Sequence, residues 1–156
     1  MDFFKRPHPH LNQHLVQDAV ERVQAYVVQS LKATGYRGPH YDILLSSEQH
    51  DYLAGYIFGA LRKVMEIGGT ADEAFMEEAC IRLYTRLFGQ KNQFCRTWHV
   101  WVVEEGLRQM RRPHVFFGYH RGRHDMIAQL RSPGAASSLA DALRNLRHAK
   151  PQSTAN

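Results

Sequence analysis

Six arginines, Arg108, Arg111, Arg112, Arg121, Arg123 and Arg131, stand in one short stretch of chain that contains a single acid, Asp125. Phe116, Phe117 and Tyr119 lie among them. A guanidinium offers a planar fork of donors that fits carboxylate or phosphate, and flat aromatic rings supply stacking area beside it. Read this way, Arg108, Arg111, Arg112, Phe116, Phe117, Tyr119, Arg121, Arg123 and Arg131 form a partner-binding segment. Its expected partner is an acidic protein surface, with nucleic acid as the alternative. No helix-turn-helix pattern, RNA-platform motif or zinc-finger spacing accompanies the arginines. The structural alternative is that Val115-Phe116-Phe117 docks this segment on the core and the arginines are incidental.

Two histidine pairs, His10 with His14 and His120 with His124, have the i, i+4 spacing that places side chains on one face of a helix. Neutral imidazoles so placed could hold zinc, nickel or copper, with His8 or Asp125 as a third ligand. The first pair straddles a helix start, however, and the second is interrupted by Gly122 close to Gly118, which weakens the rigid context a metal needs. No Glu-x-x-His pair of the kind that builds di-iron bundles is present. The sequence therefore predicts no metal and no cofactor.

Arg108 and His114 are separated by five residues near a helix end. That spacing is similar to the Arg-x(4–6)-His element of the small helical RNases of the HEPN class. The resemblance covers those two positions and implies an RNase acting at a dimer interface. Gln109 departs from the small polar residue common after the arginine, and Pro113 falls between the pair. Other catalytic constellations are missing: there is no phosphate-cradling glycine loop after a strand and no Gly-x-Ser-x-Gly elbow. Arg96 beside Cys95 could lower that thiol's pKa, but a cysteine inside an apolar helical pattern is expected to pack as a hydrophobe.

Charge supports a binding role. Residues 1–90 carry nine Lys/Arg against eleven Asp/Glu, a net of −2, and residues 91–156 carry eleven against four, a net of +7. A surplus confined to one end of the chain suggests attraction to something acidic. With two cysteines, Cys80 and Cys95, in apolar patterns, no disulfide framework is expected. No run of about eighteen apolar residues occurs, so no membrane span is expected, and the charged N-terminus lacks the apolar stretch of a signal peptide. The expected location is cytoplasmic.

The elements that must position these residues are helices. Leu11, Leu15, Val16, Ala19, Val20, Val23, Val27 and Leu31 make one apolar stripe on a helix running to about Thr34 and stopped by Gly35. Ser46 or Ser47 can cap a second helix, with Leu53, Tyr56, Ile57, Ala60, Leu61, Val64 and Met65 in its apolar pattern and Gly68-Gly69 at its end. Thr70 and Glu73 have capping-box spacing for a third helix running to Gly89, antiparallel to the second. Phe94–Met110 is too long for an ordinary strand despite its strand-loving Trp98–Val103, and predicts a buried fourth helix ended by Pro113. Beyond it the pattern predicts a short helix over Asp125–Arg131 and another over Ser137–Lys150.

The predicted architecture is an all-α single helical bundle of four main helices plus a basic C-terminal extension with one or two short helices. Residues 1–9 form a flexible lead, 10–131 the bundle domain with its basic segment 108–131, and 132–156 a C-terminal helix and frayed tail. Its expected core includes Leu15, Val23, Val27, Ile57, Leu61, Leu83, Trp98 and Trp101. The function that follows is a small, non-enzymatic, intracellular regulatory or adaptor protein. It would use the basic, aromatic-containing segment, whose charge looks too concentrated to be matched within the chain. The oligomeric state is left open, with a homodimer among the possibilities.

Overall fold

The computed structural model describes residues 9–38, 45–69, 72–89, 112–135 and 137–148. The described elements are all helical: α1 Pro9–Lys32, α2 Ser47–Ile67, α3 Glu73–Phe88, α4 Pro113–Arg131 and α5 Leu139–His148. The predicted helix over Phe94–Met110, with Trp98 and Trp101, lies outside the described residues, as do Thr70 and Cys95.

Local chemistry accounts for the helix ends. Ser46 accepts a bond from the Gln49 N–H at 3.2 Å, and the Gln49 side chain accepts one from the Ser46 N–H at 2.8 Å, closing a capping box on α2. Asp72 caps α3 by accepting from Ala74 N–H at 2.9 Å, in place of the Thr70–Glu73 box expected from sequence. Gly35 and Gly89, at φ of 97° and 89°, take backbone angles closed to most residues where α1 and α3 have ended.

From sequence, Pro113 is expected to end a helix that lies outside the described residues. It is the first residue of α4, where its fixed φ suits the helix and its missing N–H has no intrahelical acceptor to serve. The short helix expected over Asp125–Arg131 is therefore the second half of a continuous 19-residue helix that runs through both Gly118 and Gly122.

α2 is the central element and is buried almost all round, from Asp51 through Ile57 and again at Gly59, Ala60, Leu61 and Met65. α1 runs antiparallel to it, Leu15 lying near Gly68. α1 and α3 run parallel: Gln13 meets Glu78 and Arg82, and further along Gln24 meets Arg86. Val16, Val20, Val23, Val27 and Leu31 of α1 pack with Cys80, Leu83 and Leu87 of α3 and with Leu53, Ile57 and Leu61 of α2, all essentially inaccessible to water. Leu15 is only half-buried. The inward stripe is centred on Val16, Val20, Val23 and Val27, which leaves Leu15 at its edge.

α4 packs on α2 with the same chain direction and by an unusually close contact. Gly55 and Gly59 on α2 face Gly118 and Gly122 on α4. A Cβ at Gly55 or Gly59 would stand 2.0 or 2.1 Å from the carbonyl oxygens of Val115 and Tyr119. One at Gly118 or Gly122 would stand 2.2 Å from those of Tyr52 and Tyr56. The hydrogen occupying each Cβ position thus points at a carbonyl oxygen of the facing helix, the geometry of a Cα–H···O contact. Both helices carry Gly-Tyr-x-x-Gly, so the contact is reciprocal and locally two-fold. Such small-x-x-x-small pairs are familiar where helices cross within a membrane. Among the described residues, however, no helix is long and apolar enough to cross one.

Candidate partner-binding face

The glycine contact fixes which side of α4 faces outward. At about 100° per residue, Val115, Gly118, Gly122, Asp125 and Met126 turn toward α2 and are buried. The opposite side carries Phe117, His120, Arg121, His124 and Arg131, all exposed, with Phe117 57% accessible. Phe116 lies at the flank with its ring 4.4 Å from that of His120, edge to face.

The arginines do not share one environment. Arg112 donates to both carboxylate oxygens of Asp51 on α2, at 3.2 and 3.4 Å. Burial pushes the Asp51 carboxyl above its ordinary pKa, and Arg112 works against that rise. Arg123 makes a two-pronged pair with Glu66 at 2.5 and 3.3 Å and lies over the Tyr119 ring at 5.7 Å. That pairing lowers the Glu66 pKa. Arg121 Nε is 3.5 Å from Asp125 Oδ1 and donates to Ser138 Oγ at 2.9 Å. Three of the expected binding residues therefore have acidic partners within the chain. The expectation of an unmatched segment fails for Arg112 and Arg123 because α2 brings Asp51 and Glu66 alongside α4, while Arg121 pairs with Asp125, the one acid of its own segment. Tyr119 is half-buried against Phe58, with ring centroids 5.6 Å apart. Arg108 and Arg111 lie outside the described residues, so the Arg108–His114 spacing has no described geometry; His114 sits half-buried in the first turn of α4.

Behind the exposed face lies a buried polar cluster not anticipated from sequence. Asp125 is 5% accessible, and its Oδ2 accepts from the Tyr56 hydroxyl at 2.6 Å, from the Ser138 N–H at 2.9 Å and from the Ser138 hydroxyl at 2.6 Å. Ser137 Oγ lies 2.9 Å from the Tyr56 hydroxyl and accepts from Leu139 N–H at 3.0 Å. A carboxylate and two serines thus meet the open N–H groups at the start of α5, where negative charge is favoured. Burial raises the Tyr52 pKa to about 12, and burial together with the bond to Asp125 raises that of Tyr56, so both hydroxyls keep their protons. The Tyr26 hydroxyl is buried beside this cluster without a hydrogen bond of normal geometry. From its N-terminus α5 runs antiparallel to α2, buries Leu139 and Leu143, and receives a bond from the Gln49 amide to the Leu143 carbonyl at 2.7 Å.

His120 and His124 sit on one continuous helix, contrary to the interruption expected at Gly122. His124 Nδ1 is 3.7 Å from Asp125 Oδ1. Among the described residues no group of three or more histidine, cysteine or acidic side chains is placed to hold a metal ion. Cys80 is fully buried, and burial pushes its thiol pKa well up, which suits a packing role.

Comparison of the chain with protein-family models, with curated proteins and with solved structures finds no match in any of the three.

Proposed function

We propose that this chain is a small, non-enzymatic regulatory or adaptor protein that binds an acidic protein partner through the outward side of α4. The observation that carries the reading is the alignment of Phe117, His120, Arg121, His124 and Arg131 on one exposed stripe, opposite the glycines that lock α4 to α2. An exposed phenylalanine among cationic and imidazole side chains offers an aromatic anchor with a polar rim. Internal pairing of Arg112 and Arg123 leaves Arg121 and Arg131, among the described arginines of the segment, to meet a partner's carboxylates.

The test is affinity purification with the wild type and with Phe117→Ala/Arg131→Glu, whose side chains are exposed. The expected result is an acidic protein retained by the wild type after nuclease treatment and lost by the variant at an unchanged thermal midpoint. Retention abolished by nuclease, with affinity falling steeply with salt, would make nucleic acid the partner. Equal capture by both proteins would move the binding face elsewhere.

A further inference from the structure

Arg121 belongs to two structures at once. It stands on the exposed stripe of α4, with its side chain 50% accessible. Its Nε also donates to Ser138 Oγ at 2.9 Å, just before α5. Ser138 in turn donates its hydroxyl hydrogen to Asp125 Oδ2 at 2.6 Å, and that oxygen accepts from Tyr56 as well. The hydrogens therefore run in one direction, from Arg121 to Ser138 to Asp125. Only the Nε of Arg121 is engaged, and among the described residues its two terminal nitrogens have no hydrogen-bond partner. Those terminal nitrogens are the end of the guanidinium that grips a carboxylate with two parallel bonds.

We infer that docking of α5 sets the conformation of Arg121 for a partner carboxylate, so that α5 and the acidic partner stabilise one another. This rests on the proposed binding role of α4. With α5 docked, Ser138 holds the inner edge of the guanidinium and leaves its outer fork toward solvent, which removes part of the ordering that binding would otherwise require. With α5 released, the serine is gone and the flexible side chain returns to its full set of rotamers. Linkage makes the effect reciprocal: a carboxylate bound at Arg121 favours the docked state by the same factor by which docking favours the carboxylate. The docked state is suited to such control. α5 has only ten residues, and the polar ties at its N-terminus, beside the buried Leu139, run through Asp125 and Ser137-Ser138. Among the described residues, the groups around Asp125 are Tyr26 from α1, Tyr52 and Tyr56 from α2, Arg121 and His124 from α4, and Ser138 ahead of α5.

The experiment has two arms, both on the full chain. Amide hydrogen exchange of Leu143 is measured in the wild type, Arg121→Gln and Ser138→Ala. Affinity for a hexaglutamate peptide is measured in the same three proteins, with Phe117→Ala as a further control. Each substitution is expected to speed Leu143 exchange about fivefold, the effect of one hydrogen bond of ordinary strength. Ser138→Ala is expected to weaken hexaglutamate binding several-fold although residue 138 lies outside the exposed stripe of α4, and the peptide is expected to slow Leu143 exchange in the wild type. Leu143 exchange unchanged by Arg121→Gln would overturn the coupling, whatever the peptide does. So would wild-type hexaglutamate affinity in Ser138→Ala. If the peptide fails to bind the wild type while Arg121→Gln still speeds exchange, the link between Arg121 and α5 stands and the acidic-partner reading fails.

Discussion

Gly122 and Tyr56 are in such close backbone contact that a Cβ on the glycine would lie 2.2 Å from the tyrosine carbonyl oxygen and 3.1 Å from the amide nitrogen of Ala60. Neither of those atoms belongs to a side chain that could swing away. Alanine at Gly122 must force α4 and α2 apart, even though alanine gains about 0.5–1 kcal/mol over glycine in helix propensity. A net loss of about 2–4 kcal/mol is expected, toward the upper end of overpacking costs. Gly118→Ala should behave alike, since its Cβ would meet the Tyr52 carbonyl oxygen at 2.2 Å. Urea unfolding measures both. A loss below about 0.5 kcal/mol would mean that the helices can separate freely.

Tyr56 and Tyr26 are neighbours with opposite expectations. Tyr56→Phe removes a donor from the buried Asp125 and should cost about 1–3 kcal/mol. Tyr26→Phe removes a hydroxyl that is buried without a hydrogen bond of normal geometry, so it should be neutral or stabilising by up to about 1 kcal/mol. Thermal unfolding of the two single variants decides the contrast, and equal losses would refute it.

The Arg112–Asp51 pair gives a pH-dependent outcome. Burial already holds the Asp51 pKa above its ordinary value despite the arginine, so Arg112→Met should raise it further. A carboxyl whose folded pKa is raised binds its proton more tightly in the folded state, so it destabilises the fold when ionised and less as pH falls through that pKa. Arg112→Met should therefore lose about 1–3 kcal/mol at pH 7 and markedly less near pH 4. Asp51→Asn, which removes the buried charge itself, should show a weaker dependence on pH. Denaturant unfolding at the two pH values is the measurement.

Glu66 and Arg123 carry the opposite sign. The pairing lowers the Glu66 pKa, so the stability it contributes is present above the ordinary glutamate range and is lost as pH falls through the folded value. Both side chains are partly exposed, so the expected contribution is under about 1 kcal/mol and should shrink further in high salt. Arg123→Glu would set like charges side by side. That substitution is accordingly a probe of stability, and Phe117 and Arg131 are the better probes of binding.

Much of the helical architecture was legible because the apolar stripes of α1, α2 and α3 keep the helical period and end at Gly35, Gly68-Gly69 and Gly89. The first half of α4 was not. Gly118 and Gly122 count against a helix when propensity is summed along one segment, and their meaning appears only when they are set beside Gly55 and Gly59 at the same four-residue spacing. The repeated Gly-Tyr-x-x-Gly was the available signal. Arg112 and Arg123 seemed unmatched because their partners lie 61 and 57 residues earlier, a distance over which charge counting has no power. The candidate face was legible in composition, but its division into paired arginines and an outward stripe required the packing of α4.

The parallel direction of α2 and α4 has a kinetic consequence. Two parallel helices cannot be joined by a tight turn, because the chain must travel back along the length of α2, about 30 Å for 21 residues, before α4 can begin. The glycine contact consequently closes a long loop, and its entropy must be lost before any of the close contact is gained. Such a contact is expected to form late, after the more local α1–α2 hairpin. Gly122→Ala should accordingly speed unfolding while leaving refolding nearly unchanged, a partition that stopped-flow chevrons would resolve.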